Sequence, residues 1–405
     1  MRIMDKEKII KLLFVLMLIV VPTNIIVSKF IFELLLSEIF IGIFILSIFV
    51  FYYKDTYTIL KKYKYFLILS SLFVFSLFLS SVLSIVPRFS IIKWFEFYFT
   101  GLLFAVSFLL LLENGFTKEY FLKTIIRVGL FYAVMGIIEA IFHNKILRFL
   151  EAVRIPSSIN DYPKIAGIFE WHTVFGSVMA FNMIISFILY FRKRISKIEF
   201  VISEILFLIG VILSTSRNAL FTIFVGFILI ILFYKKSIFK MNRRRLLLYV
   251  LIFMILIYFL YQLYPPATQS VNRFLGLFSG NKDIAERLDG VGSGRITIIK
   301  IALNTFSKFP IFGVGIRVFP YYSKIFLHTH NIFLQFLTEG GVIGLILFLI
   351  LLYYIFKKAI KYKLKFEIVL LFIFVFNQSF GYFVGHIYYF TLYMWFIFAL
   401  NSYGE

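Results

Sequence analysis

Cysteine is absent from all 405 residues, so no disulfide staples this chain and no thiolate serves as nucleophile or metal ligand. Charge is scarce as well. Asp, Glu, Lys and Arg make up 15% of the chain, against about 25% in soluble domains. The familiar catalytic patterns are missing: no H-E-x-x-H, no Walker A loop, no G-x-S-x-G elbow and no EF-hand loop. Gly313-Val314-Gly315 is a lone G-x-G with no strand of a βαβ unit before it, which excludes a dinucleotide site. Neither an internal repeat of the transporter kind nor a low-complexity segment is present.

What fills the chain is apolar. Hydrophobic residues make up 61%, aromatics 21%, and the mean hydropathy is +0.96. Apolar runs long enough to span a bilayer recur throughout, which predicts an all-α polytopic membrane protein. The first run, Lys8 to Val27, follows Arg2 and Lys6 as a signal peptide would. It has no small-x-small cleavage site and reads as an uncleaved first span. The pattern predicts about twelve spans in a single integral membrane domain, 1–405: 8–27, 31–53, 64–85, 92–112, 121–142, 170–191, 198–214, 218–234, 245–263, 332–356, 365–382 and 386–402.

The formal net charge of +22 would suit a nucleic-acid partner in a soluble protein, but here its placement follows the positive-inside rule. With the N-terminus in the cytoplasm, Lys54, Lys61, Lys62 and Lys64 fall inside. So do Arg192, Lys193, Arg194 and Lys197, then Lys235 through Arg245, and Lys357 through Lys365. Both termini are then cytoplasmic, and no nucleic-acid partner is implied.

Two loops on the other side are long. One covers about 143–169 and contains His143 and Arg154; the other covers about 264–331. The second opens with Pro265-Pro266 and offers Ser293 as an N-cap. An amphipathic run from Ile296 to Lys308 follows, and Phe309-Pro310 stops it. Its apolar residues predict a packed cap over the outer face. All five histidines (His143, His172, His328, His330, His386) fall on or near that face.

Three stretches there can carry chemistry. His328-Thr329-His330-Asn331 meets an apolar helix bearing Gly340-Gly341-Val342-Ile343-Gly344. An imidazole at that boundary can exchange a proton near neutral pH, or can simply be solvated. The glycines let two helices approach closely. Arg217 follows Ser214-Thr215-Ser216 between two spans and either faces a cavity or snorkels to lipid phosphate. Arg295 opens the loop helix, as an anion-binding group or as an exposed loop arginine. Glu96, Glu139 and Glu204 lie within spans, with Arg127 as the nearby intramembrane cation.

The run His330-Asn331-x9-Gly341-x-x-Gly344-Leu345 resembles the signature of bacterial O-antigen ligases and their polymerase relatives. Ser293-Gly294-Arg295 and Phe309-Pro310-Ile311-Phe312-Gly313-Val314-Gly315 are similar to that family's external loop. Ser216-Arg217 resembles its arginine at an outer helix junction, and Gly167-Ile168-Phe169 through Gly176 its G-x-F…G segment. The likeness covers roughly 165–350 by motif and the whole chain by topology. It departs at Trp171-His172-Thr173, where many relatives carry an Asn-Pro-Asn-like run, so no role is carried over there.

The resemblance implies a GT-C-like, multi-pass glycosyltransferase of the bacterial inner membrane, acting on the periplasmic face. It would move a glycan en bloc from undecaprenyl pyrophosphate to lipid A–core or another glycan acceptor, inverting the anomeric centre without metal or cofactor. Metal-dependent, lipid-linked membrane glycosyltransferases carry acidic ligands after the first span, whereas Pro22 to Phe30 holds none here. His330 would orient or deprotonate the acceptor hydroxyl, and Arg217 and Arg295 would stabilise charge on the leaving pyrophosphate. Asn331, His328, Arg317 and Arg154 would complete substrate binding, with lipid tails entering between spans and the loop 264–331 capping the site. The polymerase alternative uses a second lipid-linked glycan as acceptor and so calls for a second cationic centre. A transporter or flippase would call for charge pairs at the bilayer midplane.

The topology has a direct test. A reporter active only outside the cytoplasm should be active when fused after Asn281 and silent after Lys240. The reverse at either point removes the twelve-span arrangement.

Overall fold

A computed structural model describes residues 3–23, 26–28, 34–142, 158–159, 162–239, 295–324, 328–380 and 388–403. The expected span 245–263, the loop segment 264–294 with Ser293, and Arg154, His143 and His386 lie outside the described residues.

Helix dominates, because in hydrocarbon an apolar run satisfies every backbone N–H and C=O only by bonding within itself. The chain runs α1 (Ile3–Val20), a minimal ribbon of β1 (Ile26–Ser28) and β2 (Leu34–Leu35), α2 (Leu36–Tyr52), α3 (Thr56–Lys62) and α4 (Lys64–Val82). Then come α5 (Pro87–Tyr98), a π-turn over Phe99–Leu103, α6 (Phe104–Glu113) and α7 (Lys118–Phe142). A second ribbon pairs β3 (Ser158–Ile159) with β4 (Tyr162–Pro163), followed by α8 (His172–Phe191), α9 (Lys197–Leu213) and α10 (Arg217–Phe239). The rest is α11 (Arg295–Lys308), α12 (Phe319–Ser323), α13 (Ile332–Lys361), α14 (Lys365–Phe380) and α15 (Tyr388–Ser402).

Among the described residues, seven helical segments are long and apolar enough to cross a membrane by length and composition. They are Leu36–Lys62, Lys64–Val82, Pro87–Glu113, Lys118–Phe142, His172–Phe191, Arg217–Tyr234 and Ile332–Lys361. α9, α14 and α15 are apolar but shorter, at 17, 16 and 15 residues. The protein is a polytopic helical membrane protein. Its described chain forms two compact units, one of Met1–Lys118 with Gly294–Glu405, the other of Glu119–Ser293.

In the first unit α13 packs along α4 and against α11, α14 and α15. Phe336 of α13 meets Phe73 of α4 edge-on at 5.0 Å and lies 4.5 Å from Phe348 of its own helix. α13 is broken in its middle, where Gly341 has φ +65° and ψ −168°. A break there frees carbonyls before it and amides after it, and each left unpaired in an apolar interior costs several kcal/mol.

The segment between α11 and α12 repairs the break. Val314 N–H donates to the Thr338 carbonyl at 2.9 Å and Gly315 N–H to the Glu339 carbonyl at 3.1 Å. Beyond the break, Val342 N–H donates to the Pro310 carbonyl at 2.8 Å and Ile343 N–H to that of Ile311 at 3.4 Å. α4 and the start of α5 seal this clasp from the other side. The Ser80 hydroxyl donates to the Glu339 carbonyl, Ser84 to that of Val314 at 2.6 Å and Ser90 to that of Ile316 at 3.2 Å.

The glycines divide the work in a way their spacing does not show. A Cβ on Gly340 would lie 2.8 Å from Leu77 of α4, so that position does serve a close helix approach. Gly341 serves the loop instead: a Cβ there would strike the Ile311 carbonyl, and its φ is in the left-handed region. Gly313, at φ +72°, answers it, since a Cβ there would lie 2.6 Å from the Thr338 carbonyl oxygen.

The far ends of α4 and α13 carry a cation–aromatic knot. Lys62 pairs with Glu113 at 2.9 Å, Lys118 with Glu367 at 2.9 Å, and Lys118 also reaches the Leu400 carbonyl at 3.2 Å. Lys358 donates to the Ser402 carbonyl, and Tyr63 stacks on Tyr403 at 6.5 Å. Lysines thereby close the C-terminus of α15, where its dipole favours positive charge. In the second unit α8 is buried along most of its length and packs against α9 and α10.

Gly341→Ala should lower stability by about 1–3 kcal/mol, through strained backbone and collision with the clasp. Gly344→Ala should be near neutral, since a Cβ there makes only ordinary contact at 3.5 Å. Thermal unfolding of the detergent-solubilised protein separates them. Equal behaviour would remove the clasp as a constraint.

Candidate active site

In the first unit, the residues before α13 are fixed by Asn331. Its side-chain oxygen caps the helix, accepting from Phe333 N–H at 2.9 Å and Leu334 N–H at 3.0 Å. Its amide nitrogen donates to the Ser379 carbonyl at the end of α14, at 3.0 Å. Both ends of this amide therefore hold structure. Directly before it, His330 has φ +51°, a left-handed conformation costing a non-glycine residue about 1–2 kcal/mol. Thr329 is buried, its hydroxyl donating to the Asn331 carbonyl at 3.1 Å.

Burial sets the electrostatics of the two histidines. Loss of water pushes His330 down to about 4, helped by the positive charge of Arg295, the first residue of α11. His328 is pushed down to about 3, again chiefly by burial, with Arg317 and His330 adding to the effect. Both are neutral imidazoles at physiological pH, which is the form that accepts a proton.

Arg317 immediately follows the clasp. It is 8% exposed, has φ +59°, and donates from Nη1 to Glu96 Oε2 at 3.3 Å. The other Glu96 oxygen accepts from Lys93, one turn earlier on α5. Glu339, buried just before the α13 break, accepts from Gln335 Nε2 at 2.8 Å, and both the backbone and the guanidinium of Arg317 act on its carboxyl. Lys93, Glu96, Gln335 and Glu339 are members of this network that the motifs do not mark. A carboxylate inside an apolar run was the available signal for Glu96. Its partners come from its own helix turn and from the distant loop. Arg127, the nearby intramembrane cation in the sequence, pairs instead with Glu199 at 3.4 Å.

In the second unit three segments converge. Glu139 Oε2 accepts from the Ala166 and Gly167 amides at 3.0 and 2.6 Å, seating the Gly167-Ile168-Phe169 turn. Ile165 N–H reaches the Leu213 carbonyl at 3.4 Å, and His172 Nδ1 lies 2.7 Å from the Ser214 carbonyl. A carbonyl only accepts, so that nitrogen carries the hydrogen. His172, at the point where the motif departs from its pattern, thus ties α8 to the α9–α10 junction. Thr215 turns that junction with φ +53°, and Ser216 caps α10 by accepting from Ala219 N–H at 3.3 Å. Arg217 is the first residue of α10 and half-buried.

His330, His328, Arg295, Arg317 and Asn331 thus belong to the first unit and Arg217 to the second, while Arg154 lies outside the described residues. The class defined is a polytopic helical membrane protein with half-buried histidines and arginines near the ends of its helices. Residues 202–349 match the family model described as O-antigen ligase. That match supports the O-antigen ligase and polymerase superfamily, and the matched stretch contains Arg217, Arg295, Arg317, His328 and His330. No curated protein matches the chain. A match of this kind supports ligase- or polymerase-type glycan transfer, with a polyprenyl-linked glycan donor and a glycan or lipid acceptor in general.

The histidines make a pH prediction. kcat/KM reports the free enzyme, so its acidic limb should be absent near 6.5 and any limb from His330 should fall near 4. The sign for stability follows by linkage. The unfolded chain takes up protons near 6.5 that the fold refuses until about 4, so stability is full above 6.5 and declines as pH falls through that window. An activity limb near 6.5 that His330→Gln abolishes would show a solvated imidazole and overturn this.

Proposed function

We propose that this protein is an O-antigen ligase-type glycosyltransferase. It transfers a whole glycan from undecaprenyl pyrophosphate to a hydroxyl of lipid A–core, at the periplasmic face of the bacterial inner membrane. The observation carrying this reading is His330, neutral, half-buried and held in left-handed backbone within the electrostatic reach of Arg295. A neutral imidazole can accept a hydrogen bond from the acceptor hydroxyl and orient it, or take its proton; with its pKa down to about 4 it is a weak base, so orientation is the larger share. The pyrophosphate is already a good leaving group and needs no general acid. Its developing charge needs cations, and Arg295 and Arg217 each supply one, worth a few kcal/mol per contact in the transition state.

In-line attack inverts the anomeric centre, and the chemistry requires neither metal nor cofactor. The twelve-span topology, both termini cytoplasmic, and the capping role of 264–331 belong to the same reading. Asn331 contributes by placing His330, and Arg317 and His328 by lining the acceptor side.

The second reading, a polymerase, needs a further cationic centre for a second pyrophosphate. Arg317 is the described candidate, and its charge is already matched by Glu96, which favours the ligase.

Chromosomal deletion tests the choice. Loss of a ligase leaves polymerised glycan on undecaprenyl pyrophosphate and bare core on lipid A. Core bearing a single repeat unit would identify the polymerase instead. In complementation, Arg217→Ala, Arg295→Ala and His330→Ala should each lose most transfer at near-normal membrane abundance. Lysine should rescue the arginines poorly, lacking the planar fork. Full activity of His330→Ala removes the histidine's role.

A further inference from the structure

Lys93, Glu96 and Arg317 form a partly buried triad, with side chains only 18%, 12% and 10% exposed. One carboxylate serves two cations: Oε1 takes Lys93, a turn earlier on α5, and Oε2 takes Arg317 Nη1 at 3.3 Å. The triad carries a net charge of +1. Arg317 also acts electrostatically on His328, and it follows directly on the segment that mends the break in α13. Without Glu96, an ammonium and a planar guanidinium would stand together near the acceptor side. That pairing suits a diphosphate.

Building on the ligase reading, we propose that Glu96 is a specificity-determining residue. It spends the charge of Lys93 and Arg317, and so keeps the acceptor side from holding a second pyrophosphate. A hydroxyl acceptor on a lipid A–core headgroup needs no such cation pair, whereas a second lipid-linked pyrophosphate does. A carboxylate between the two cations also repels an incoming diphosphate directly. At partly buried separations of several ångströms, one unit of charge changes anion affinity by about tenfold or more.

The test uses the full chain in detergent, with inorganic pyrophosphate as probe in titration calorimetry. Glu96→Gln raises the triad from +1 to +2 and should add a second pyrophosphate site or tighten binding about tenfold. Lys93→Met with Glu96→Gln returns the net charge to +1 and should restore wild-type binding. A purely structural role for Glu96 would not be rescued by removing Lys93. In the wild type, pyrophosphate should compete with the donor and not with the acceptor, a measurement that stands even if Glu96→Gln does not fold. Unchanged binding in Glu96→Gln, a double variant that stays altered, or competition with the acceptor in the wild type would each overturn the proposal. Arg295→Ala serves as the separate control. If it leaves wild-type pyrophosphate binding intact, the donor reading fails, whatever Glu96→Gln does.

Discussion

An unpaired backbone group in an apolar interior is the constraint on which the first unit depends. α13 breaks at Gly341, and the segment from Pro310 to Gly315 supplies the hydrogen bonds the break removes, two on each side. Because those bonds join backbone to backbone, the segment has one register on the helix and cannot slide without orphaning four groups. Its continuation, Arg317, is thereby set two residues beyond Gly315, facing Glu339 from the turn before the break. The same helix, read back to its N-terminus, carries Asn331 and with it His330. One broken helix therefore fixes the positions of both Arg317 and His330.

Left-handed backbone occurs at or beside three candidate residues, as it does at Lys193, Lys324 and Lys363. His330 and Arg317 are in the left-handed region, and Thr215 is so two residues before Arg217. Each costs about 1–3 kcal/mol and persists only where its surroundings over-determine it. The surroundings are visible in each case: the double use of Asn331, the clasp with the Glu96 bond, and the His172 and Ser216 contacts around Ser214 to Arg217.

The sequence carried much of this and missed the rest for physical reasons. Helices and their breaks were legible, because apolar runs, Phe309-Pro310 and the Ser214–Arg217 interruption act locally. The α11 helix begins at Arg295 as its pattern indicates. The mating of Phe309–Gly315 with Gly340-Gly341 was not legible, since spacing within one segment says nothing about which backbone another segment approaches. Of the three glycines read as a helix-packing face, Gly340 does admit Leu77 of α4, while Gly341 admits a loop instead. Glu96 stood out as a carboxylate inside an apolar run, but its partner lies 221 residues away and no local rule names it. Asn331 looked like a substrate ligand because it adjoins His330; the hydrogen bonds spend both ends of its amide on the fold.

Charge placement shows which groups hold the fold. Lys62 with Glu113, and Lys118 with Glu367, are matched pairs that also close helix ends, where removing one member would strand the other in low dielectric. Arg317 is matched by Glu96 and faced by Glu339, so its charge is spent before any substrate arrives. Arg217 and Arg295 are placed differently. Arg217 is the first residue of α10, at the positive end of its dipole, where a cation is disfavoured by about 0.3–1 kcal/mol, and Arg295 is the first described residue of α11. Stability alone would put an acid at such a position. An arginine there becomes favourable once an anion arrives, because guanidinium and helix dipole then act on it with the same sign. The cost carried by the empty protein is thus returned in the bound state. For a leaving pyrophosphate, whose charge grows as the glycosidic bond breaks, the return is larger in the transition state than in the ground state.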